Sequence, residues 1–300
     1  MTPAPEQDMT KKKVGMIGVG LMGHGIARNI VRKGWPLRFL EHAGNQPVQD
    51  LVALGAQALD DARALARASD IVLLCVTGSP QVETILTGDG GILAVMRAGQ
   101  VVIDCSTAIP ASTQRLARVA AEHGVHFVDA AMTRTPTEAA GGRLNLLVGA
   151  EPGVLATVRP LLQAFAENIF HAGPVGSGHR LKLLHNFVSL GSIVLLSEAA
   201  VCAQKGGIAP EVLVDALRRG GGYGAALDRL APFLLAGDDS AVRFSLRNAL
   251  KDIGYYDTMA ADEGVPRTTA RGVRDTLQAL VDAGMGDAFL STTPARLAKL

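Results

Sequence analysis

The sequence predicts an α/β fold in which a doubly wound, mostly parallel β-sheet domain is followed by an all-helical domain. Three observations predict this fold. Short apolar runs alternate with helix-like segments through residues 14–171. These runs are nearly continuous in Val, Ile and Leu, as is typical of strands buried on both faces of a parallel sheet. From about residue 179 onward, long helical runs replace the strand pattern.

The apolar runs predict six strands, with segments of helical period between them. The predicted strands are VGMIGV (14–19), LRFLE (37–41), DIVLLCV (70–76), QVVIDC (100–105), VHFVD (125–129) and LNLLVG (144–149). A helix is predicted at 111–123, and a weaker strand pattern, NIFHAG, precedes the Gly/Pro-rich segment GPVGSG at 173–178. We therefore expect a sheet domain at 1–175 and a helical domain at 176–300, which begins with one long apolar helix at about 179–205.

Charge and cysteine content argue against several classes of protein. The chain of 300 residues has 29 basic and 28 acidic residues and no block of like charge. Nucleic-acid binding needs a basic stripe, so we expect no nucleic-acid partner. The cysteines, Cys75, Cys105 and Cys202, lie far apart among apolar neighbours, which is typical of reduced core thiols in a cytoplasmic protein. No spacing of Cys or His indicates a metal site.

Membrane association and secretion are not predicted. The most apolar long stretch, residues 187–203, is interrupted by Glu198 and three serines. A buried helix explains this composition better than a membrane span. The N-terminal segment MTPAPEQDMTKKK lacks the charged-then-apolar order of a secretory signal. We expect a cytoplasmic protein without a membrane partner.

A glycine-rich motif directly follows the first predicted strand. Gly18, Gly20 and Gly23 form G-x-G-x-x-G, with Leu21 and Met22 between the last two glycines. The first glycine allows a tight turn, the second lets a diphosphate approach the backbone, and the third permits close helix–strand packing. The helix that begins here offers free N–H groups and the positive end of its dipole to an anion. The motif predicts a Rossmann-type dinucleotide site, and the alternative is a tight turn without a ligand.

An acidic residue, Glu41, stands at the end of the second predicted strand. A carboxylate at this position accepts hydrogen bonds from both ribose hydroxyls of NAD and repels the 2′-phosphate of NADP. The next residue is His42 and not an arginine. We therefore expect NAD as the cofactor, with NADP as the alternative. The competing interpretation is a solvated glutamate at a strand end.

Lys182 and Asn186 lie four residues apart in the long predicted helix and therefore share one of its faces. Their neighbours in sequence are apolar, and burial of an ammonium without partners is costly. In one interpretation the lysine extends to solvent and the asparagine caps a neighbouring loop. In the other, both side chains face an interdomain cleft, where Lys182 donates a proton to the substrate oxygen as hydride reaches carbon. The spacing alone favours neither interpretation.

Three motifs in this order resemble one known family. The stretch from Ile17 to Ile30 contains G-x-G-x-M-G-x-x-x-A-x-N, complete through Asn29. The later segments are GSGHRLKLLHN, which resembles a G-x-G-x-x-x-K-x-x-N-N motif, and FSLRNALKDIGY at 244–255. Together they resemble the β-hydroxyacid dehydrogenase family, which includes 3-hydroxyisobutyrate dehydrogenase and tartronate semialdehyde reductase. The resemblance runs through nearly the whole chain. It implies a Rossmann-type domain followed by an all-helical domain, and a homodimer or homotetramer.

The resemblance also implies roles for residues of the long helix. Lys182 falls on the family's catalytic lysine and Asn186 on the second asparagine of its motif. His185 stands in place of the first asparagine, which is a departure from the family pattern. In the last segment, Lys251 is implied to contact the substrate or the nicotinamide, and Asp252 is a weaker candidate. The residues implied to lie near the nicotinamide are Val76, Thr77, Ser106 and Thr107.

A second departure lies in DAAMTRTP, where the family usually has Asp-x-Pro-Val-Ser-Gly-Gly. The family's Ser-Gly-Gly cradles the substrate carboxylate. In this chain Asp129 is kept, and Thr133-Arg134-Thr135 occupies the Ser-Gly-Gly positions. The segment that follows, TPTE, predicts a helix start with an N-cap threonine, proline at the first position and Glu138 at the third. We therefore expect a strand, a Thr133-Arg134 elbow and a capped helix.

An arginine beside a helix N-terminus suits an oxyanion, because its planar fork binds a carboxylate or sulfonate in a bidentate manner. The subgroup that the segment most resembles is sulfolactaldehyde reductase, which has Arg-Thr at the matching position. We expect Arg134 to bind an anionic substrate group, with Thr133 and Thr135 as further substrate residues. The alternative is an Arg134 side chain that faces solvent or pairs with Glu138.

The expected function is hydride transfer between NAD(H) and a small β-hydroxyacid-like alcohol, or its aldehyde, that carries an anionic group. Imine reductases share the fold and resemble the family except that the lysine is replaced, so the presence of Lys182 argues against imine reduction. The alternative from another class is a non-catalytic dinucleotide-binding module. The complete set of Lys182, Asn186 and Lys251 argues against that alternative.

Overall fold

The computed structural model describes residues 11–300 and divides the chain into two compact units. The first, here called the sheet unit, ends at His179, and the second, the helical unit, comprises Arg180–Leu300. The division falls a few residues beyond the predicted one, because it lies inside the first turn of the long helix rather than in the Gly/Pro-rich segment before it.

Within residues 11–179 the sheet unit contains eight strands. They are β1 (Val14–Ile17), β2 (Leu37–Leu40), β3 (Gln57–Leu59), β4 (Ile71–Leu74), β5 (Val101–Asp104), β6 (His126–Thr133), β7 (Leu144–Gly149) and β8 (Ala166–Gly173). Their order in the sheet is β3-β2-β1-β4-β5-β6-β7-β8. Only β6 and β7 pair in antiparallel fashion among these strands. The predicted doubly wound, mostly parallel sheet is confirmed.

Two strands differ from the prediction. The short strand β3 has too few apolar residues for its sequence to stand out as a strand. Strand β6 continues beyond Asp129 to Thr133, because its second half pairs with β7 and no longer with β5. The predicted two-residue elbow is therefore wrong by one residue: Thr133 ends the strand, and the turn begins at Arg134.

Seven helices cover the two faces of the sheet. They are α1 (Gly23–Arg32), α2 (Gln49–Ala53), α3 (Ala62–Arg67), α4 (Ser79–Thr87), α5 (Pro110–Glu122), α6 (Pro136–Ala140) and α7 (Pro152–Leu162), with a 3-10 turn at Ile92–Val95. Successive strand residues enter different cores: Met16 and Leu73 pack on one face, and Ile17 and Val72 on the other. Because both faces are buried, the strands read as continuous apolar runs.

The helical unit is built on α8 (Ser177–Lys205), whose first residues still belong to the sheet unit. Five further helices follow: α9 (Pro210–Arg219), α10 (Ala225–Ala236), α11 (Leu246–Asp262), α12 (Thr268–Leu280) and α13 (Thr293–Leu297). Two 3-10 turns (Ser240–Val242, Leu290–Thr292) and a π turn (Val281–Met285) lie between them. Ile193, Leu230, Ile253 and Leu277 are buried in its core, so four helices share one apolar centre. The predicted helical second domain is confirmed.

Helix α8 is long and apolar enough, by length and composition, to cross a membrane, with a mean hydropathy of 1.6. One such helix is weak evidence for a span, because the core helix of a soluble protein meets the same criteria. In this chain Ile193 and Val194 of α8 are buried in the core of the helical unit. One side of α8 therefore packs in this core, while only 33% of its apolar window is buried within the chain.

The cysteines are all free thiols, but they do not share one environment. Cys105 is buried, Cys75 is half-buried, and Cys202 is exposed on α8. The expectation of three core thiols is therefore wrong for Cys202. Burial, together with the neighbouring Asp104 carboxylate, raises the pKa of Cys75 to about 12. Cys75 is thus an unreactive thiol.

Candidate active site

The three glycines of the motif after β1 meet different surroundings. Gly18 has φ +98°, and a Cβ there would lie 2.2 Å from the carbonyl oxygen of Cys75. A Cβ at Gly23 would lie 2.0 Å from the carbonyl oxygen of Gly18. At Gly20, by contrast, the nearest atom to a Cβ is a carbonyl oxygen 3.9 Å away, so the backbone there is open. Gly18 and Gly23 thus allow the tight turn, and Gly20 leaves room for a ligand.

The start of α1 suits the diphosphate of a dinucleotide. Among the described residues no side chain caps this helix, and its first turn carries no acidic residue. The N–H groups and the helix dipole are therefore left for an anion beside Leu21 and Met22. The residues present fit the cofactor that the motif implies, with Gly20 as the point of close approach.

The loop after β2 is tied to the glycine-rich loop. Asn45 accepts a hydrogen bond from the backbone N–H of Val19 at 3.3 Å and donates one to the carbonyl of Leu40 at 3.0 Å. Glu41 follows β2 directly and is exposed, and its backbone N–H donates to the carbonyl of Leu59. The Glu41 side chain thus lies at the carboxyl edge of the sheet, on the strand next to β1.

The ends of β4 and β5 lie side by side, with Leu74 opposite Asp104. Beyond them, the backbone N–H of Val76 donates to Oγ of Ser106 at 3.0 Å. The backbone N–H of Ser106 donates in turn to Asp104. The structure therefore brings together the two segments that carry Val76, Thr77, Ser106 and Thr107 at one edge of the sheet.

A buried polar network fixes the start of α8. The carboxylate of Asp129 accepts hydrogen bonds from the backbone N–H groups of Gly176 and His179, both at 2.7 Å. The His179 ring bonds Oγ1 of Thr113 at 2.7 Å and donates from Nε2 to the carbonyl of Ser106 at 3.1 Å. Burial raises the pKa of Asp129, and these hydrogen bonds together with His179 oppose that shift.

Neither His179 nor a task for Asp129 is predicted from the sequence. Two signals were present: a charged residue at the end of a buried strand, and a histidine inside the glycine-rich segment that opens α8. Their meaning depends on a contact between segments some fifty residues apart. Such contacts do not follow from local spacing.

In the helical unit, Asp252 joins Asn186 to Lys251. The side-chain amide of Asn186 donates to one oxygen of Asp252 at 2.6 Å, and Nζ of Lys251 lies 2.9 Å from the other. Both Asn186 and Asp252 are buried. The weaker candidate of the sequence analysis, Asp252, is therefore the centre of this cluster, because its carboxylate contacts both the Asn186 amide of α8 and the Lys251 ammonium of α11.

Lys182, one turn before Asn186, has a strongly perturbed ammonium. Burial lowers its pKa from 10.5 to about 8; the Asp252 carboxylate opposes this shift and the Lys251 ammonium adds to it. A lysine with this pKa exchanges protons close to neutral pH. Such a group can both donate a proton to an oxygen and take one from it.

The TRT segment does not present three free side chains. Arg134 is the only non-glycine residue at positive φ (+81°) in residues 11–300. Its guanidinium forms an ion pair with Glu167 at the start of β8 and also donates to the carbonyl of Arg143. It is thus turned along the β7–β8 side of β6, whereas β5 lies on the other side. Its ion-pair partner is Glu167 and not Glu138, and the residue stays exposed.

The neighbouring threonines are also hydrogen-bonded. Oγ1 of Thr133, which is buried, accepts from the side-chain amide of Asn145 at 3.2 Å. Thr135 and Glu138 form the capping box at the start of α6 that the sequence predicts. The Thr135 hydroxyl donates to Glu138 at 2.5 Å, and this bond lowers the pKa of the glutamate. In the structure, the side chains of Thr133, Arg134 and Thr135 therefore all make contacts that stabilise the local fold.

An open glycine-rich loop on a doubly wound sheet and a lysine of depressed pKa on a helical unit define a dinucleotide-dependent oxidoreductase. Comparison with known proteins agrees. Residues 13–173 match the family described as the NAD binding domain of 6-phosphogluconate dehydrogenase. Residues 176–293 match the family described as NAD-binding of NADP-dependent 3-hydroxyisobutyrate dehydrogenase.

Individual relatives cover most of the chain. The 2-(hydroxymethyl)glutarate dehydrogenase of Eubacterium barkeri is 32% identical over 255 residues, which are 85% of this chain and 84% of the relative. The NAD-dependent L-serine dehydrogenase of Pseudomonas aeruginosa is 33% identical over 222 residues, 74% of either chain. A solved 3-hydroxyisobutyrate dehydrogenase from Mycobacterium tuberculosis, with L-serine, shares the fold at a TM-score of 0.86 and 24% identity, over 96% of this chain and 99% of that one.

The chain belongs to the β-hydroxyacid dehydrogenase family. It is an NAD(P)-dependent oxidoreductase of hydroxyacids. Its cofactor, when bound, gives or accepts a hydride.

Proposed function

We propose that the protein interconverts a small β-hydroxyacid and its aldehyde with Lys182 as the proton donor and acceptor. The observation that carries the proposal is the perturbed Lys182 ammonium, whose pKa of about 8 lies near neutral pH. In reduction, the ammonium donates a hydrogen bond to the carbonyl oxygen and gives it the proton. In oxidation, the neutral amine takes the proton of the alcohol.

The cluster around Asp252 supports this task. Asp252 holds both the amide of Asn186 and the ammonium of Lys251, so each presents a fixed orientation. We propose that Asn186 orients the substrate beside Lys182 and that Lys251 contacts the substrate or the nicotinamide. Fixed donors cost little reorganisation during the reaction.

The experiment that tests the proposal is Lys182→Ala. We expect reduction to fall by at least roughly a hundredfold, the usual range for loss of a general acid. NADH binding, measured by its fluorescence, is expected to persist, because the glycine-rich loop belongs to the other unit. Turnover at the wild-type rate would remove Lys182 from the mechanism.

For the substrate we propose a carboxylic acid with a hydroxymethyl group, or the aldehyde derived from it. The names of two relatives support this class, because 2-(hydroxymethyl)glutarate and L-serine both carry a hydroxymethyl group and a carboxylate. A screen by NADH absorbance would compare these acids, 3-hydroxyisobutyrate, tartronate semialdehyde, succinic semialdehyde and sulfolactaldehyde-type compounds. Activity with cyclic imines alone would favour imine reduction instead.

For the cofactor we propose NAD over NADP. The support is the exposed Glu41 at the end of β2, where a carboxylate would repel a 2′-phosphate. We expect a higher kcat/KM with NADH than with NADPH, and a smaller ratio in Glu41→Gln. Equal efficiencies in the wild type would contradict the proposal.

Arg134 as a ligand of the substrate anion stays a prediction. Two facts support it. Its pair with Glu167 is half exposed, and exposed pairs contribute only about 0–1 kcal/mol, so a substrate anion can compete for the guanidinium. Arg134 also lies between the last residue of β6, Thr133, and the N-cap residue of α6, Thr135. In the structure, however, the guanidinium faces β8, so this task requires its rotation.

We propose a homodimer or homotetramer, cytoplasmic and without membrane or nucleic-acid partners. The support is an apolar face of α8 that is left exposed by the chain itself. Leu184, Val188 and Leu195 share this face, and Val188 and Leu195 are 66% and 69% exposed. A second copy of the chain is the partner that such a face fits.

A further inference from the structure

A chain of polar side-chain contacts, one ion pair followed by two hydrogen bonds, ends in the helical unit on His185, the residue that departs from the family motif. It begins with Lys251 at one oxygen of Asp252 (2.9 Å) and continues from the other oxygen to the amide of Asn186 (2.6 Å). The oxygen of that amide lies 3.0 Å from Nδ1 of His185. His185 is thus the far end of the cluster that surrounds the proposed proton donor.

The direction of each hydrogen bond follows from what each group can donate. A carboxylate only accepts, so the amide nitrogen of Asn186 must face Asp252. The amide oxygen then faces the His185 ring, and it too can only accept. Nδ1 of His185 must therefore carry the proton, and the Asn186 amide is held from both ends.

This bond also restrains the oxygen of Asn186, which is the atom that would compete for the protons of Lys182. The two residues lie four apart on α8 and are therefore neighbours on its surface. An amide oxygen without a partner would accept a hydrogen bond from the Lys182 ammonium. With His185 on that oxygen, the ammonium keeps its protons for a substrate.

The charge state of His185 suits this arrangement. Burial lowers its pKa, the bond to Asn186 opposes the shift, and the positive charges of Lys182 and Arg229 lower it further. At neutral pH the ring is therefore uncharged, with the proton on Nδ1. It adds no positive charge beside the Lys182 ammonium.

We propose that His185 is a positioning residue for the reaction: its Nδ1–H binds the amide oxygen of Asn186 and keeps that oxygen away from Lys182. The proposal rests on the proposed function, since its kinetic effect passes through the proton of Lys182. The charged groups that bear on that ammonium in the helical unit are Asp252 and Lys251, and His185 itself is flanked by Arg229.

The kinetic test compares His185→Leu with His185→Asn. Loss of the donor in His185→Leu frees the amide oxygen to bind the charged form of Lys182, which raises the pKa of the lysine. We expect kcat for reduction to fall roughly tenfold, about 1.4 kcal/mol, with KM for NADH within about twofold. The upper pH midpoint of reduction is expected to move up. His185→Asn, which restores an N–H donor, is expected to recover most of kcat.

The control is His123→Leu, an exposed histidine just after α5 in the sheet unit, which should behave as the wild type. Mere loss of folded protein in His185→Leu would lower kcat without moving the pH midpoint. An unchanged kcat or an unmoved midpoint in His185→Leu would overturn the proposal.

A second measurement does not depend on activity. Long-range ¹H–¹⁵N spectra of the histidine-labelled protein without cofactor report which ring nitrogen carries the proton. The His185 signals are assigned by their loss in His185→Leu. We expect the Nδ1–H form in the wild type and the common Nε2–H form in Asn186→Leu. An Nε2–H signal for His185 in the wild type would overturn the proposal.

The two proposals fail separately. If Lys182→Ala keeps its activity, the proposed function fails, and the spectra still report on the bond between His185 and Asn186. If Lys182→Ala is inactive but His185→Leu behaves as the wild type, only the assignment of His185 fails.

Discussion

The ammonium of Lys182 shows how a single residue couples the fold to its chemistry. Its pKa falls from 10.5 to about 8 because the charged form loses hydration when the chain folds. The nearby Asp252 offsets part of that loss, and Lys251 adds to it. Burial of Lys182 therefore costs free energy of folding, but it gives the residue a pKa at which it can exchange protons near neutral pH.

The first prediction concerns the pH dependence of the reaction. Reduction needs the charged Lys182 and oxidation needs the neutral form, so the rate of reduction should fall and that of oxidation should rise as pH passes about 8. Steady-state rates in both directions would check this expectation. They are measured at saturating cofactor from about pH 6 to about pH 10, in steps of roughly half a pH unit. Parallel pH profiles in both directions would contradict it.

The second prediction concerns stability. The folded pKa of Lys182 lies below the unfolded one, so the unfolded state binds more protons between about 8 and 10.5 and the wild type gains stability as pH rises through this window. Lys182→Met removes the burial cost and should stabilise the protein at pH 7 by up to about 3 kcal/mol, at the loss of activity. Denaturant unfolding at pH 7 and pH 10.5 measures the difference, which should shrink at the higher pH. A destabilised variant would show that the lysine stem packs better than methionine.

The third prediction concerns Arg134, whose φ of +81° favours glycine. Arg134→Gly should be more stable than Arg134→Ala by about 1 kcal/mol, because only the alanine keeps the backbone strain. Both variants lack the guanidinium. If KM for the best anionic substrate rises in both variants, Arg134 is a ligand of the substrate. If KM is unchanged in both variants, Arg134 does not bind the substrate anion.

At the scale of elements, the first turn of α8 is the segment on which the candidate site depends. The Asp129 carboxylate holds its backbone through Gly176 and His179. A Cβ on Gly178 would lie 2.4 Å from the carbonyl oxygen of Leu147, so only glycine allows this approach to β7. Lys182 follows one turn later on the same helix.

The fourth prediction compares two glycine substitutions within α8. Gly178→Ala should destabilise the protein by about 1–3 kcal/mol, because backbone atoms cannot yield to the new methyl group. Gly191→Ala is the matched control: its nearest neighbour is a side-chain methyl of Val273 at 3.6 Å, so alanine should stabilise the helix by up to about 1 kcal/mol. Thermal unfolding of both variants gives the two signs. The same sign in both would refute this account of α8.

Helix α1 likewise packs closely against helix α6. Gly25 leaves no room for a Cβ, which would lie 2.6 Å from the backbone of Ala139. Asn29 donates from its amide to the carbonyls of Ala139 and Ala140 at 2.9 and 3.1 Å. The last residue of the G-x-G-x-M-G-x-x-x-A-x-N motif is therefore explained by packing, and it fixes the helix that follows Arg134.

At the scale of the whole molecule, assembly is the property that one chain leaves open. The exposed apolar face of α8 is the feature that a second copy would cover. The fifth prediction is that Val188→Glu together with Leu195→Glu lowers the molar mass in light scattering to that of one chain, 31.2 kDa. Leu300→Glu, which changes another exposed apolar residue at the end of the chain, is the control. An unchanged mass in the double variant would place the interface elsewhere.

Properties that depend on local periodicity and turn chemistry could be predicted from the order of the residues. Continuous apolar runs predicted the sheet, since both of its faces are buried, and the glycine spacing predicted the open turn at Gly20. The capping box at Thr135 and Glu138 followed from residues three positions apart. In each case the interacting groups are neighbours along the chain.

The contacts between distant segments followed only from the three-dimensional structure. Arg134 pairs with Glu167, and Asp129 holds the start of α8; no local pattern encodes either partner. The central place of Asp252 likewise depends on its contact with Asn186, which lies sixty-six residues earlier in the chain. The partners of a buried charge are chosen by packing in three dimensions, whereas strand, helix and turn signals are read from adjacent residues.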